Sequence, residues 1–154
     1  PSPAMLDLAR AAAGPFGDRV QLVEGTVGQA PTGPFDGATC LLVLHFLSRS
    51  ERMETLREIH RRLKPGARLV VAHHAPPGAH AVRWMTRSVT FAAAAPADET
   101  SAAASGKLLT ERLQLLTPDE EEELLRVCGF VDVEPFYAAL SFRGWVASVP
   151  RGQA

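Results

Sequence analysis

The chain has 154 residues, 46% hydrophobic and 21% charged, with 16 basic residues set against 17 acidic ones. That composition suits one soluble domain with a real core and excludes a disordered or fibrous chain. A formal net charge of −1 excludes a global basic field for nucleic acid, and the most apolar stretch, residues 38–47, is far too short to span a bilayer.

Taken in chain order, the first element is a short helix. Ser2 caps it, Pro3 fits its first turn, Met5, Leu8, Ala9 and Ala12 share a face, and Gly14-Pro15 ends it. Residues 20–24 read as a strand, and a loop rich in Gly and Pro follows. Residues 37–45 (GATCLLVLH) form a continuous apolar run, the mark of a strand buried on both faces in a parallel sheet. A second helix opens with a capping box of Ser48 and Glu51 and buries Met53, Leu56, Ile59 and Leu63, with Glu58 pairing to Arg62 on the wet side. Residues 68–73 (RLVVAH) read as another buried strand.

Between residues 75 and 116 the pattern weakens. Two helices are expected there, near residues 79–91 and 101–115, with an Ala-rich mobile stretch at residues 92–105. Thr117 and Glu120 then cap a helix that Gly129 ends, and residues 131–138 and 141–149 close the chain as an antiparallel hairpin. Strands alternating with helices imply an open α/β sheet without an internal domain boundary: one domain over 1–149, a helical insertion at 75–116 and a tail at 150–154. Cys40 and Cys128 are unclustered, form neither a disulfide framework nor a zinc site, and point to a reducing cytoplasm.

Four segments carry a resemblance. Pro1-Ser2-Pro3-Ala4-Met5-Leu6 followed by Ala9-Arg10, Phe35-Asp36-Gly37 leading to His45-Phe46-Leu47, Leu63-Lys64-Pro65-Gly66-Ala67-Arg68-Leu69-Val70-Val71, and Gly129-Phe130-Val131 with Phe142-Arg143-Gly144-Trp145 occur in this order. Together they resemble class I S-adenosylmethionine-dependent methyltransferases, with a flavour of the members related to carboxy-S-adenosylmethionine synthase. The resemblance implies a Rossmann-like, mostly parallel open sheet with a C-terminal antiparallel hairpin, lacking the first two strands of the full fold. This chain would then be the C-terminal two-thirds of such a domain. The implied cofactor is S-adenosylmethionine, held by Met5, Thr26, Val27, Leu44, His45 and Phe46, and the implied partner is a small-molecule methyl acceptor.

Three departures bear on activity. The chain has no G-x-G spacing of the kind a cofactor-cradling turn needs, and the acidic ribose ligand of the family would lie just before Pro1. Where many relatives place an Asp for the adenine, Thr26 stands. Tight binding of the cofactor by this chain alone is therefore not expected. The competing function is a non-catalytic remnant that self-associates through an uncovered sheet edge.

Other residues invite two readings. His45 either meets the cofactor or substrate, or is a strand-end histidine satisfied by local hydrogen bonds. His45, His73, His74 and His80 show no ligand spacing, so no metal is expected. Trp84, Met85 and Phe91 read as core before they read as a substrate pocket, and Arg83 and Arg87 as solvated before anion-binding. The acidic run at residues 119–123 suits a helix N-terminus and needs no partner. Cys40 and Cys128 read as small buried hydrophobes.

Overall fold

Ser2, just ahead of Pro3, opens the first element as expected. Its hydroxyl accepts the Met5 N–H at 3.4 Å, and α1 runs from Pro3 to Ala13. The computed structural model describes residues 2–93 and 98–152. It divides into two compact units, Pro1–Gly33 and Pro34–Ala154.

In the first unit α1 ends at Gly14, whose φ is +47°, and a 3-10 turn over Gly14–Arg19 follows. Residues 20–24 are not a strand, which corrects the sequence reading. A strand needs a ladder partner for its N–H and C=O groups, and no described residue pairs with these. Thr26 instead opens a second 3-10 turn, Val27–Gln29, by a capping box with Gln29. Gly25 (φ +142°) is required there, because a Cβ would stand 2.9 Å from the Gln29 side chain.

The second unit is built on a four-stranded sheet of order β1-β2-β4-β3. Here β1 is Phe35–Leu41, β2 Leu63–His74, β3 Val131–Ala139 and β4 Phe142–Ser148. β1 and β2 are parallel; β4 is antiparallel to both β2 and β3. An open α/β sheet closed by a C-terminal hairpin is thus present. The strand expected over residues 37–45 is shorter, because Leu42 turns to φ +60° and Leu44–Phe46 form a 3-10 turn. Nor is β1 buried on both faces. Only Cys40 is buried in it, and β2 is the only described strand beside it.

Two helices cover one face of β2. α2 (Arg49–Arg61) carries the Ser48–Glu51 capping box and α5 (Pro118–Val127) the Thr117–Glu120 box, both as read from sequence. Leu56 and Ile59 of α2, Leu124 and Leu125 of α5, and Leu69, Val71 and Trp145 of the sheet are buried. Removing such side chains from water is what drives this face together. Glu58 does pair with Arg62, but the Arg62 side chain is buried, not on the wet side, and Glu58 also pairs with Arg61 at 2.6 Å.

The remaining helices, α3 (Ala81–Ala92) and α4 (Glu99–Arg112), lie close to their expected places. Residues 99–105, expected to be mobile, belong to α4, capped by the Asp98 side chain at the Ser101 N–H (3.1 Å); residues 94–97 lie outside the described ones. Met85 is core, whereas Phe91 is 83% exposed and is not. Among the described residues no helix is long and apolar enough to cross a membrane.

α3 and α4 meet at Gly106, where a Cβ would lie 2.6 Å from the Thr86 nitrogen and 2.7 Å from its Cα. In an open helix Gly→Ala gains about 1 kcal/mol. Here the methyl meets backbone, which cannot give way locally, so sterics decide the sign. Gly106→Ala is expected to lower stability by about 1–3 kcal/mol. A urea midpoint that rises with the substitution would contradict this contact.

Candidate functional site

Because β1 and β2 are parallel, their carboxyl ends lie together, with Leu41 opposite Ala72 in register. The sequence puts His45-Phe46 just beyond the first of these ends and His73-His74 at the second. In open α/β sheets that is where ligands bind. The left-handed Leu42 turns the chain sharply, so Leu44 and His45 are buried while Phe46 stays 66% exposed.

His45 is held on several sides. Its Nδ1 accepts the His74 backbone N–H at 3.3 Å, and its carbonyl accepts the Gln114 N–H at 2.9 Å. Its ring lies 4.3 Å from that of Phe46 and meets His74 edge-on at 5.0 Å. His74 stacks on Phe142 at 3.9 Å, and its Nδ1 is 2.7 Å from Ser141 Oγ.

His73 faces the opposite way, into the core beside Trp145. Its Nε2 lies 2.9 Å from Glu121 Oε1, close but not aligned as a hydrogen bond. Glu121 in turn holds Arg52. The Arg52 guanidinium donates to Glu121 Oε1 and the Gln114 carbonyl, and through Nε to the Leu47 carbonyl at 3.1 Å. Arg52, Glu121 and His73 are all essentially inaccessible to water. A buried ion pair thus backs the strand ends and fixes the segments on either side of them.

The electrostatics follow from this placement. Burial pulls the His45 pKa down to about 4, helped by His74, His73 and Arg52, with Glu121 acting against them. Burial and then His73 also lower His74. Both imidazoles are therefore neutral at neutral pH. Burial, aided by the Glu121 charge, pushes the Cys40 thiol up to about 11, which leaves it the small inert hydrophobe expected.

Of the six residues expected to hold a cofactor, Met5, Thr26 and Val27 stand in the first unit, and Leu44, His45 and Phe46 in the second. The latter three come together with His73 and His74. The Thr26 N–H and hydroxyl both donate to Gln29 Oε1 at 2.7 Å. Among the described residues no three His, Cys, Asp or Glu are placed to hold a metal ion. Arg87 and Arg83 lie over the Trp84 ring, at 4.9 and 6.0 Å from its centroid, so they are more than solvated charges.

Sequence reading missed the Arg52–Glu121 pair, and its statement that the 119–123 run needs no partner is corrected. Glu121 meets Arg52 and His73, and Glu122 accepts from Trp145 Nε1 at 3.2 Å. The reason is that the first turn of α5 sits on the sheet, with Glu121 on the same buried side as Leu124 and Leu125. One signal was available. Arg52, Leu56 and Ile59 fall at helical spacing on one stripe, and a charge on a core stripe demands a buried partner.

Known proteins bear on what this fold is. Residues 1–71 match the family model of a methyltransferase domain. No curated protein matches the chain. Solved structures do. One is described as a possible exported protein from Bordetella parapertussis (21% identity, TM-score 0.69). Another is the S-adenosylmethionine-dependent methyltransferase SibL in its apo form (16%, TM-score 0.70), and a third an O-methyltransferase family protein from Burkholderia thailandensis (14%, TM-score 0.69). They cover 97%, 97% and 98% of this chain, which spans only 51%, 42% and 42% of theirs. The fold expected from the four sequence motifs is present: the chain has the Rossmann-like fold that these methyltransferase structures share.

Lowered imidazole pKa values have a consequence for stability. The unfolded chain takes up protons on His45 and His74 as pH falls below about 6.5, while the folded chain resists doing so at His45 until about 4. Stability therefore declines across that window on acidification. Urea titrations between neutral pH and pH 4 should show the decline, and His45→Asn should make it shallower. An unchanged slope in the variant would contradict the buried, neutral His45.

Proposed function

We propose that the chain is part of an enzyme that transfers a methyl group from S-adenosylmethionine to an oxygen of a small molecule. The observation that carries this reading is the cluster of Leu44, His45, Phe46 and His74 at the adjoining carboxyl ends of two parallel strands. The methyltransferase-domain match over residues 1–71 and the O-methyltransferase family protein among the structural relatives support it.

The residues present fit a cofactor of this kind at the second-unit end. Leu44 and His45 form a tight buried turn whose backbone is fixed by the strand end, and Phe46 offers an exposed ring beside it. Such a group needs apolar and backbone contacts more than charged ones. When bound, the sulfonium supplies the methyl group.

What the chain's own residues do is position. Methyl transfer asks chiefly that acceptor oxygen, methyl and leaving sulfur be aligned in a dry pocket. His45 and His74 enter as neutral, hydrogen-bonded rings and not as cations that would repel a sulfonium. His73, Glu121 and Arg52 lie behind them and touch no ligand; they hold the two strand ends and residue 114 at fixed spacing.

A titration with S-adenosylmethionine, followed by backbone amide shifts, tests the proposal. Saturable changes are expected at Leu44, His45 and Phe46, with weak rather than micromolar affinity. No change at Leu44, His45 and Phe46 up to millimolar cofactor would overturn it.

A further inference from the structure

His74 is joined to two serines that the proposal above leaves unused. Ser141 Oγ, 2.7 Å from His74 Nδ1, is also 2.5 Å from Ser88 Oγ on α3. The Ser141 backbone N–H donates to Ser88 Oγ at 3.2 Å. Both serines are buried, 0% and 8% exposed, and His74 is half-buried.

Proton positions along this chain follow from counting donors and acceptors. Each hydroxyl has one hydrogen to donate. Ser88 already accepts from the Ser141 backbone, and among the described residues its only other partner is Ser141 Oγ, so its hydrogen goes there. Ser141 then donates its own hydrogen to His74 Nδ1. The reverse order would strand the Ser88 hydrogen in the interior without an acceptor, which buried hydroxyls rarely tolerate. With Nδ1 accepting, a neutral His74 carries its hydrogen on Nε2. The ring cannot easily turn, because Phe142 stacks on it and the His45 ring lies against it.

We infer that His74 is a binding residue of the strand-end site, a fixed neutral donor whose Nε2–H meets an oxygen of the methyl acceptor, with Ser141 and Ser88 as its positioning residues. This rests on the methyl-transfer reading. It also names the acceptor class. The basic nitrogen of His74 is occupied, so the ring does not take the acceptor's proton. The acceptor is then a hydroxyl acidified enough to ionise near neutral pH, a phenol bearing an electron-withdrawing group or the enol of a β-dicarbonyl, bound as its oxyanion after losing its proton to solvent. The oxyanion attacks the methyl carbon, the O–C bond forms as the C–S bond breaks, and sulfur keeps the electron pair. No proton remains to be moved.

Heteronuclear NMR of the histidine-labelled chain at neutral pH tests this without cofactor. A protonated Nε2 and an unprotonated Nδ1 are expected at His74. Adding para-nitrophenol in its ionised form should shift the His74 Nε2–H resonance, whereas para-nitroanisole, which has no ionisable oxygen, should not. Ser141→Ala should weaken the nitrophenolate response about five-fold and leave the His45 pattern as it was. An Nδ1–H tautomer at His74 in the unaltered chain, or an Nε2–H unmoved by millimolar nitrophenolate, would overturn the inference. If both expected results appear and S-adenosylmethionine has no effect, the methyl-transfer reading fails and the donor site stands. If the cofactor binds but His74 carries Nδ1–H, the inference alone fails.

Discussion

Arg52 and Glu121 meet in the interior of the larger unit, where neither charge has water. Moving either charge there alone would be prohibitive, so each requires the other. The pair links α2 to α5, and the Arg52 guanidinium reaches two further points, the Leu47 carbonyl before α2 and the Gln114 carbonyl before α5. Those points flank the strand-end cluster. Leu47 follows directly on His45-Phe46, and the Gln114 N–H is donated to the His45 carbonyl. A desolvated guanidinium with all three contacts satisfied thus sets the spacing between the end of β1 and the segment crossing it.

The same pair shapes the chemistry nearby. Arg52 helps keep His45 neutral and the Glu121 carboxylate opposes that, while burial outweighs both. Glu121 also raises the Cys40 thiol. A site of neutral imidazole rings beside a sealed ion pair suits alignment of a reacting pair better than acid–base work. That agrees with a methyl transfer in which binding geometry supplies most of the effect.

Features governed by local sequence were legible. The Ser48–Glu51 and Thr117–Glu120 capping boxes, the helix stop at Gly129 and the closing hairpin each depend on residues a few positions apart. The strand-end histidines were legible too, since an apolar run that ends in His marks where a parallel strand gives out. Residues 20–24 were misread because alternation proposes a strand but cannot supply its partner. The run from residue 37 was read too long because nothing in its composition signals the left-handed turn at Leu42. The contacts that position the site join residues far apart in sequence, 69 positions for Arg52–Glu121 and 53 for Ser88–Ser141. A charged residue on a buried helical stripe announces that such a partner exists, but not which residue it is.

A double-mutant cycle on Arg52 and Glu121, read by denaturant unfolding, tests this dependence most directly. If the pair is the constraint that holds the strand ends, Arg52→Met alone and Glu121→Leu alone each cost about 3–5 kcal/mol, since each strands a buried charge. The double substitution then costs far less than their sum. Single costs under about 1 kcal/mol that simply add would contradict it, placing the two side chains in water and apart.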